Sequence, residues 1–193
     1  MKKIGLLGGS FDPPHKGHLF ISIEAKKMFQ LDEVWWLVTP QNPLKIFKPA
    51  TYNERVKNCK NITRNLPIKI QEIEKKIDSD YSFKTINFIL NHYKNIKFFW
   101  LMGADNLINF HKWQKWKKIF NNMSIVIFRR HGYNTLALKS IASRQFKNNK
   151  IIISNLQLSD FDKLPSWAFI ENKDVKISST EIRNQREKLR GKN

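Results

Sequence analysis

Along this chain, short apolar runs alternate with stretches in which apolar residues recur every three or four positions. Ile4-Gly5-Leu6-Leu7 suits a short buried strand, and the residues after it place apolar positions at Leu19, Ile23, Ala25 and Met28, the spacing of a helix. Glu33 to Thr39 (EVWWLVT) is β-prone and stops at Pro40. Strand, helix and strand in that order predict the βαβ opening of a parallel sheet. Thr51 to Asn65 predicts a helix with Arg55, Val56, Cys59 and Ile62 on related faces, Cys59 being a small buried hydrophobe. Ile68 to Ile70 reads as a short strand and Glu72 to Asp80 as an exposed, charged connection.

A helix capped by Ser82 follows, turning Phe83, Ile86, Phe88, Ile89 and Leu90 mostly toward the core. Ile96 to Met102 is nearly continuous in apolar character, as a central parallel strand should be. Trp113 and Trp116 would share adjoining faces of a helix, Trp116 serving packing. Met123 to Phe128 predicts a strand, residues 134–148 an amphipathic helix, and Ile151 to Ile153 a further buried strand. Residues 155–176 show no readable pattern, and Pro165 to Ile170 has no assignable chemistry. The alternation predicts an α/β fold of the doubly wound, parallel-sheet class, with its site at the carboxyl ends of the strands. No repeat or linker divides the chain, so residues 1–193 are expected to form a single domain.

Composition changes this picture little, apart from charge. A hydrophobic content of 41% fits a soluble globular protein, no apolar stretch approaches the roughly 18 residues of a membrane span, and the short apolar segment at the start, running straight into Gly8-Gly9-Ser10-Phe11-Asp12, is not expected to be a signal peptide. One cysteine permits no internal disulfide, which points to a reducing cytoplasm. The net charge of +19 raises a nucleic-acid reading. Lysine outnumbers arginine 27 to 8 and is scattered, however, and with abundant Asn and Ile this fits a codon bias better than a base-reading groove. A positive field would still speed the capture of anionic nucleotides.

Candidate chemistry gathers at the strand-to-helix turns. Gly8 and Gly9 let the backbone turn tightly and approach a ligand, and the helix that follows offers unpaired N–H groups to phosphate. His15 and His18 share that turn; no third ligand cluster supports zinc, and the dinucleotide fingerprint G-x-G-x-x-G is absent. Lys45, in the proline-rich loop after the second strand, suits a substrate phosphate or plain solvent. Gly103 and Asp105 at a strand end suit a ribose, or Asp105 a helix cap. Of Arg129 and Arg130, only one can point into a site from an extended segment. Ser178, Ser179, Thr180 and Arg183 begin a helix and also form a nest for a di- or triphosphate.

Three words extend that reading. G-G-S-F-D-P-P-H-K-G-H resembles the signature of the H-x-G-H nucleotidyltransferase superfamily, in the form found in nicotinate-nucleotide adenylyltransferases. G-A-D-N-L with F-H-x-W-x-x-W, and I-S-S-T-x-I-R near the carboxyl terminus, are similar to two further words of that family, in the expected order.

The resemblance implies a Rossmann-like fold and an adenylyltransferase that joins ATP and nicotinate mononucleotide to give deamido-NAD and pyrophosphate, with Mg²⁺ bound alongside ATP. It implies His15 and His18 as the catalytic pair, with Gly8, Gly9, Ser10, Phe11, Ser178, Ser179, Thr180 and Arg183 on ATP and its phosphates. Lys45, Thr85, Gly103, Asp105, Trp113 and Arg130 fall to the nucleotide and pyridine, and His111 to local structure. Lys84 stands where the family commonly has an aspartate. A pantetheine-phosphate adenylyltransferase or a cytidylyltransferase would share the phosphate sites but leave the G-A-D-N-L and W-x-x-W words unexplained. The residues leave the choice between nicotinate and nicotinamide mononucleotide open, and the oligomeric state with it.

Overall fold

A computed structural model describes residues 1–41, 49–171 and 178–190, without the side chains of residues 155, 185–187 and 189–190. The chain runs β1 (Lys2–Gly9), α1 (Lys16–Met28), β2 (Glu33–Val38), α2 (Tyr52–Ile62), β3 (Ile68–Gln71), α3 (Ile73–Lys76), α4 (Ser82–His92) and β4 (Ile96–Gly103). It continues through α5 (Ala104–Asn109), α6 (Trp116–Asn122), β5 (Ser124–Phe128), α7 (Asn134–Leu138), α8 (Ile141–Gln145), β6 (Lys150–Ile151), β7 (Trp167–Ile170) and α9 (Ser179–Arg190).

All seven strands join one sheet in the order β3-β2-β1-β4-β5-β7-β6, and every pairing is parallel. Leu6 sits opposite Trp35 on one side and Trp100 on the other, so β1 is fully flanked. Because strands alternate their side chains, two cores form. One holds Ile4, Leu6, Trp100, Ile125 and Phe169 with the inner faces of α4, α5 and α6. The other holds Leu7, Trp36, Leu101, Val126 and Ile170 with α1 and α2. The expected α/β doubly wound architecture is what is found, and β1 and β4 start adjacent crossovers that leave a crevice at their carboxyl ends.

Several local expectations are corrected. Glu72 to Asp80 is not an exposed connection: it holds α3, which buries Ile73 and Glu74. The N-cap of α4 is Tyr81, and Ser82 is the first helical residue. Gly103, not Asp105, caps α5. Trp113 ends a 3₁₀ turn in extended backbone and Trp116 starts α6, so the two do not share a helix. Residues 134–148 break into α7 and α8 because Ser140 stops one and caps the other, accepting from the Ser143 N–H at 3.2 Å. Ile152 is 74% exposed beyond the two-residue edge strand β6. The run Trp167-Ala168-Phe169-Ile170 is a wholly buried strand inserted between β5 and β6.

Candidate active site

A cavity of about 670 Å³ opens at the carboxyl ends of the strands, walled by the loop after β1, the first turns of α1 and α4, the β4–α5 junction, the loop after β5 and the start of α9. That volume lies within the range of small-molecule sites.

His15 is the N-cap of α1 and is 7% exposed. Its Nδ1 accepts the Gly17 N–H at 3.1 Å, and His18 Nδ1 accepts the His15 N–H at 3.2 Å. A ring nitrogen that accepts carries no proton, so both imidazoles are held as Nε2–H tautomers. Their centroids lie 3.8 Å apart. Burial, reinforced by the positive charge of Arg130 and opposed by Glu181, lowers the His15 pKa to about 4. His15 is therefore a neutral hydrogen-bond donor near pH 7.

Behind His18, Phe11 lies 4.8 Å away and stacks at 4.6 Å on Trp36. The Trp36 indole donates to Ser22 Oγ, which in turn donates to the His18 carbonyl, both at 2.8 Å. Helix α1 and the sheet thus fix one face of the histidine.

A further part of the wall comes from the far end of the chain. Ser178 caps α9 by accepting the Glu181 N–H at 3.1 Å. Ser179 Oγ donates to the Pro13 carbonyl at 3.0 Å, and Arg183 donates to the Asp12 carbonyl and, at 3.1 Å, to Thr180 Oγ1. Arg183 also lies 3.7 Å from the Asp12 carboxylate.

At the β4–β5 edge, Arg130 pairs with Asp105 at 2.8 Å, while the other Asp105 oxygen, Oδ1, is buried without a hydrogen-bond partner among the described residues. A Cβ on Gly103 would meet that oxygen at 2.5 Å, which is why glycine stands there. Trp113 meets Trp100 edge-on at 6.2 Å and lines the cavity, as do Lys112 and the first turn of α4.

Fourteen of the sixteen residues singled out from the sequence line this one cavity: Gly8 to Phe11, His15, His18, Gly103, Asp105, Trp113, Arg130, Ser178 to Thr180 and Arg183. Thr85 does not; it is fully buried and its hydroxyl donates to Glu74 Oε1 at 3.1 Å. A helical position facing the core, one turn in from the N-cap, keeps it from the ligand space. Lys45 lies outside the described residues. His111 is absent from the wall, and Trp116 packs against Phe120 and Phe146.

Two residues with a bearing on the site were not found by sequence reasoning. Asp12 ties the β1 loop to α9, and Arg55 is buried beneath it. The available signal for Arg55 was a charged residue on the apolar side of α2, since a buried guanidinium requires acceptors.

A strand-end phosphate turn, a paired-histidine cap and a hydroxyl-arginine helix start on one parallel sheet define a nucleotidyltransferase, and residues 6–185 match the cytidylyltransferase-like family model. The chain is 40% identical over 182 residues to a probable nicotinate-nucleotide adenylyltransferase of Ruegeria sp. (strain TM1040), covering 94% of this chain and 96% of that protein. It is likewise 40% identical to a protein of that name from Pelagibacter ubique, covering 94% and 92%. Among solved structures it resembles Plasmodium falciparum nicotinic acid mononucleotide adenylyltransferase complexed with NaAD, with a TM-score of 0.72, 18% identity, and 95% and 83% of the two chains covered. The chain belongs to the nicotinate-nucleotide adenylyltransferase family. Among the described residues, no helix is long and apolar enough to cross a membrane.

Proposed function

We propose that this chain, acting as one nucleotidyltransferase domain over residues 1–193, joins ATP to nicotinate mononucleotide and releases pyrophosphate. The observation that carries this reading is the convergence of the Gly8–Phe11 turn, the His15–His18 pair and the Ser179–Arg183 turn on one cavity that the Trp113 indole also lines. The phosphate oxygen of the mononucleotide attacks the α-phosphorus of ATP in line, and the bond to the β-phosphate bridging oxygen breaks. A phosphate monoester is already an adequate nucleophile, so alignment and charge neutralisation carry the catalysis.

In this mechanism the two Nε2–H groups and the turn backbone donate to the transferred phosphoryl group. Ser178, Ser179, Thr180 and Arg183 hold the departing pyrophosphate, and the Asp105 carboxylate accepts from a ribose hydroxyl. Arg130 and Gly103 shape that nucleotide seat. Bound alongside ATP, Mg²⁺ would be held chiefly by the nucleotide's phosphates and water, and would supply charge neutralisation to the leaving pyrophosphate. Asp12 and Asp105, on the cavity wall, each face an arginine.

The pyridine end supports nicotinate over nicotinamide. Helix α4 opens on the cavity with no side chain among the described residues capping it, so its first-turn N–H groups, and Lys112 on the same cavity wall, suit a carboxylate. Asp80, beside that turn, is engaged by the Gln41 N–H at 3.0 Å. Pyrophosphate release with ATP and each mononucleotide in parallel tests the proposal. Nicotinate mononucleotide should give the higher kcat/KM; release with neither would end it.

A further inference from the structure

Arg55 is 1% exposed, yet it has no acidic hydrogen-bond partner among the described residues. Its guanidinium donates instead to four backbone carbonyls: Ala50 at 2.9 Å, Ser10 at 2.6 Å, Thr39 at 2.8 Å and Pro40 at 2.7 Å. Thr39 and Pro40 follow β2, Ser10 follows β1, and Ala50 precedes α2. One planar fork thus joins three segments at the carboxyl edge of the sheet. Burial lowers the Arg55 pKa, and Asp12 opposes that effect.

The Ser10 bond has a geometric consequence. In a trans peptide the C=O and the following N–H point in opposite directions. With the Ser10 oxygen tied down to Arg55, the Phe11 N–H is turned away from Arg55, and both residues line the cavity. Phe11 accepts a left-handed φ of 48° in this arrangement, a conformation that a non-glycine residue ordinarily avoids. Flipping the Ser10–Phe11 peptide would carry that φ back to the extended region and reverse the direction of the N–H. The relaxed backbone is therefore the one with the donor lost, and the Arg55 bond opposes it.

We infer that Arg55 is a positioning residue for the reaction: by holding the Ser10 carbonyl it keeps the Phe11 N–H aimed at the transferred phosphate. This rests on the phosphate-binding reading of the β1 turn given above.

The test uses Arg55→Lys and Arg55→Gln, each checked for folding by circular dichroism, together with the parent protein. Pyrophosphate release should fall in kcat by about 10- to 100-fold, the scale of a misplaced reacting group, while both KM values stay nearly constant. A purely structural role would lower thermal stability and leave kcat per folded molecule intact. By NMR, the Phe11 amide of the parent should move on addition of ATP. In the folded variants that response should vanish while those of Ser179 and Thr180 persist. Folded variants with parental kcat and an intact Phe11 response would overturn the inference, as would a parent whose Phe11 amide ignores ATP. If neither variant folds, that parental response alone decides. Failure of the parent to release pyrophosphate would count against the proposed reaction instead, and the amide titration would still judge the peptide's orientation.

Discussion

The hydroxyl of Ser179 donates to the carbonyl of Pro13 at 3.0 Å although 166 positions of chain separate them. Together with Arg183 on Asp12, it joins the first turn of the protein to its last helix, so each end depends on the other for its geometry. Arg183→Ala should raise the KM for ATP by about 10- to 100-fold, the loss of a charge-assisted hydrogen bond worth roughly 1.5–3 kcal/mol. Initial rates at varied ATP would show it. An unchanged KM would separate Arg183 from phosphate binding.

His18→Ala should leave the fold intact and lower turnover by about 10²- to 10³-fold, as expected when a preorganised donor to developing charge is removed. Single-turnover pyrophosphate release measures this directly. Near-parental turnover in a folded variant would remove His18 from the mechanism.

Gly103→Ala places a methyl 2.5 Å from Asp105 Oδ1, where no flexible chain end can yield without disturbing the Arg130 pair. Activity should fall by about 100-fold, in line with an ångström-scale displacement of a positioning group. Steady-state kcat/KM beside a thermal melt distinguishes this local effect from unfolding. Parental kcat/KM would mean that the Asp105 seat tolerates displacement.

Two buried groups give opposing pH dependences. His15 has its pKa lowered from 6.5 to about 4, so between those values the unfolded chain binds more protons and stability rises with pH. Burial raises Glu74 from 4.5 to about 7, against hydrogen bonds from Thr39 and Thr85, so the native state binds more protons in that window and stability falls as pH rises. Glu74→Gln removes the second slope. Urea midpoints of variant and parent should diverge in the variant's favour as pH climbs from about 5 to about 8, and parallel curves would refute the buried-acid assignment.

The parallel sheet was legible because its central strands are continuous apolar runs: Ile96 to Met102 could hardly be anything else. The site words were legible because each lies at a strand end or helix start, where local chemistry and function coincide. What escaped the sequence depended on distant partners. Trp167 to Ile170 is four residues with no period of its own, and only the gap between β5 and β6 makes it a strand. Arg55 on the inner face of α2 made sense only once carbonyls from three other segments had gathered around it. Thr85 was carried over from the family word, but its place on α4 gives its hydroxyl to Glu74.

The meeting of Pro13 and Asp12 with Ser179 and Arg183 makes the occupied pocket a clasp. On the proposed reading, nucleotide seated between the two ends would have to let go before α9 could peel away, so that fraying of that helix and release of the ligand would become one event. Saturation at 100 times Kd would then protect α9 amides from exchange by about 2.7 kcal/mol, spreading the grip of a single triphosphate to a segment well beyond the atoms it touches.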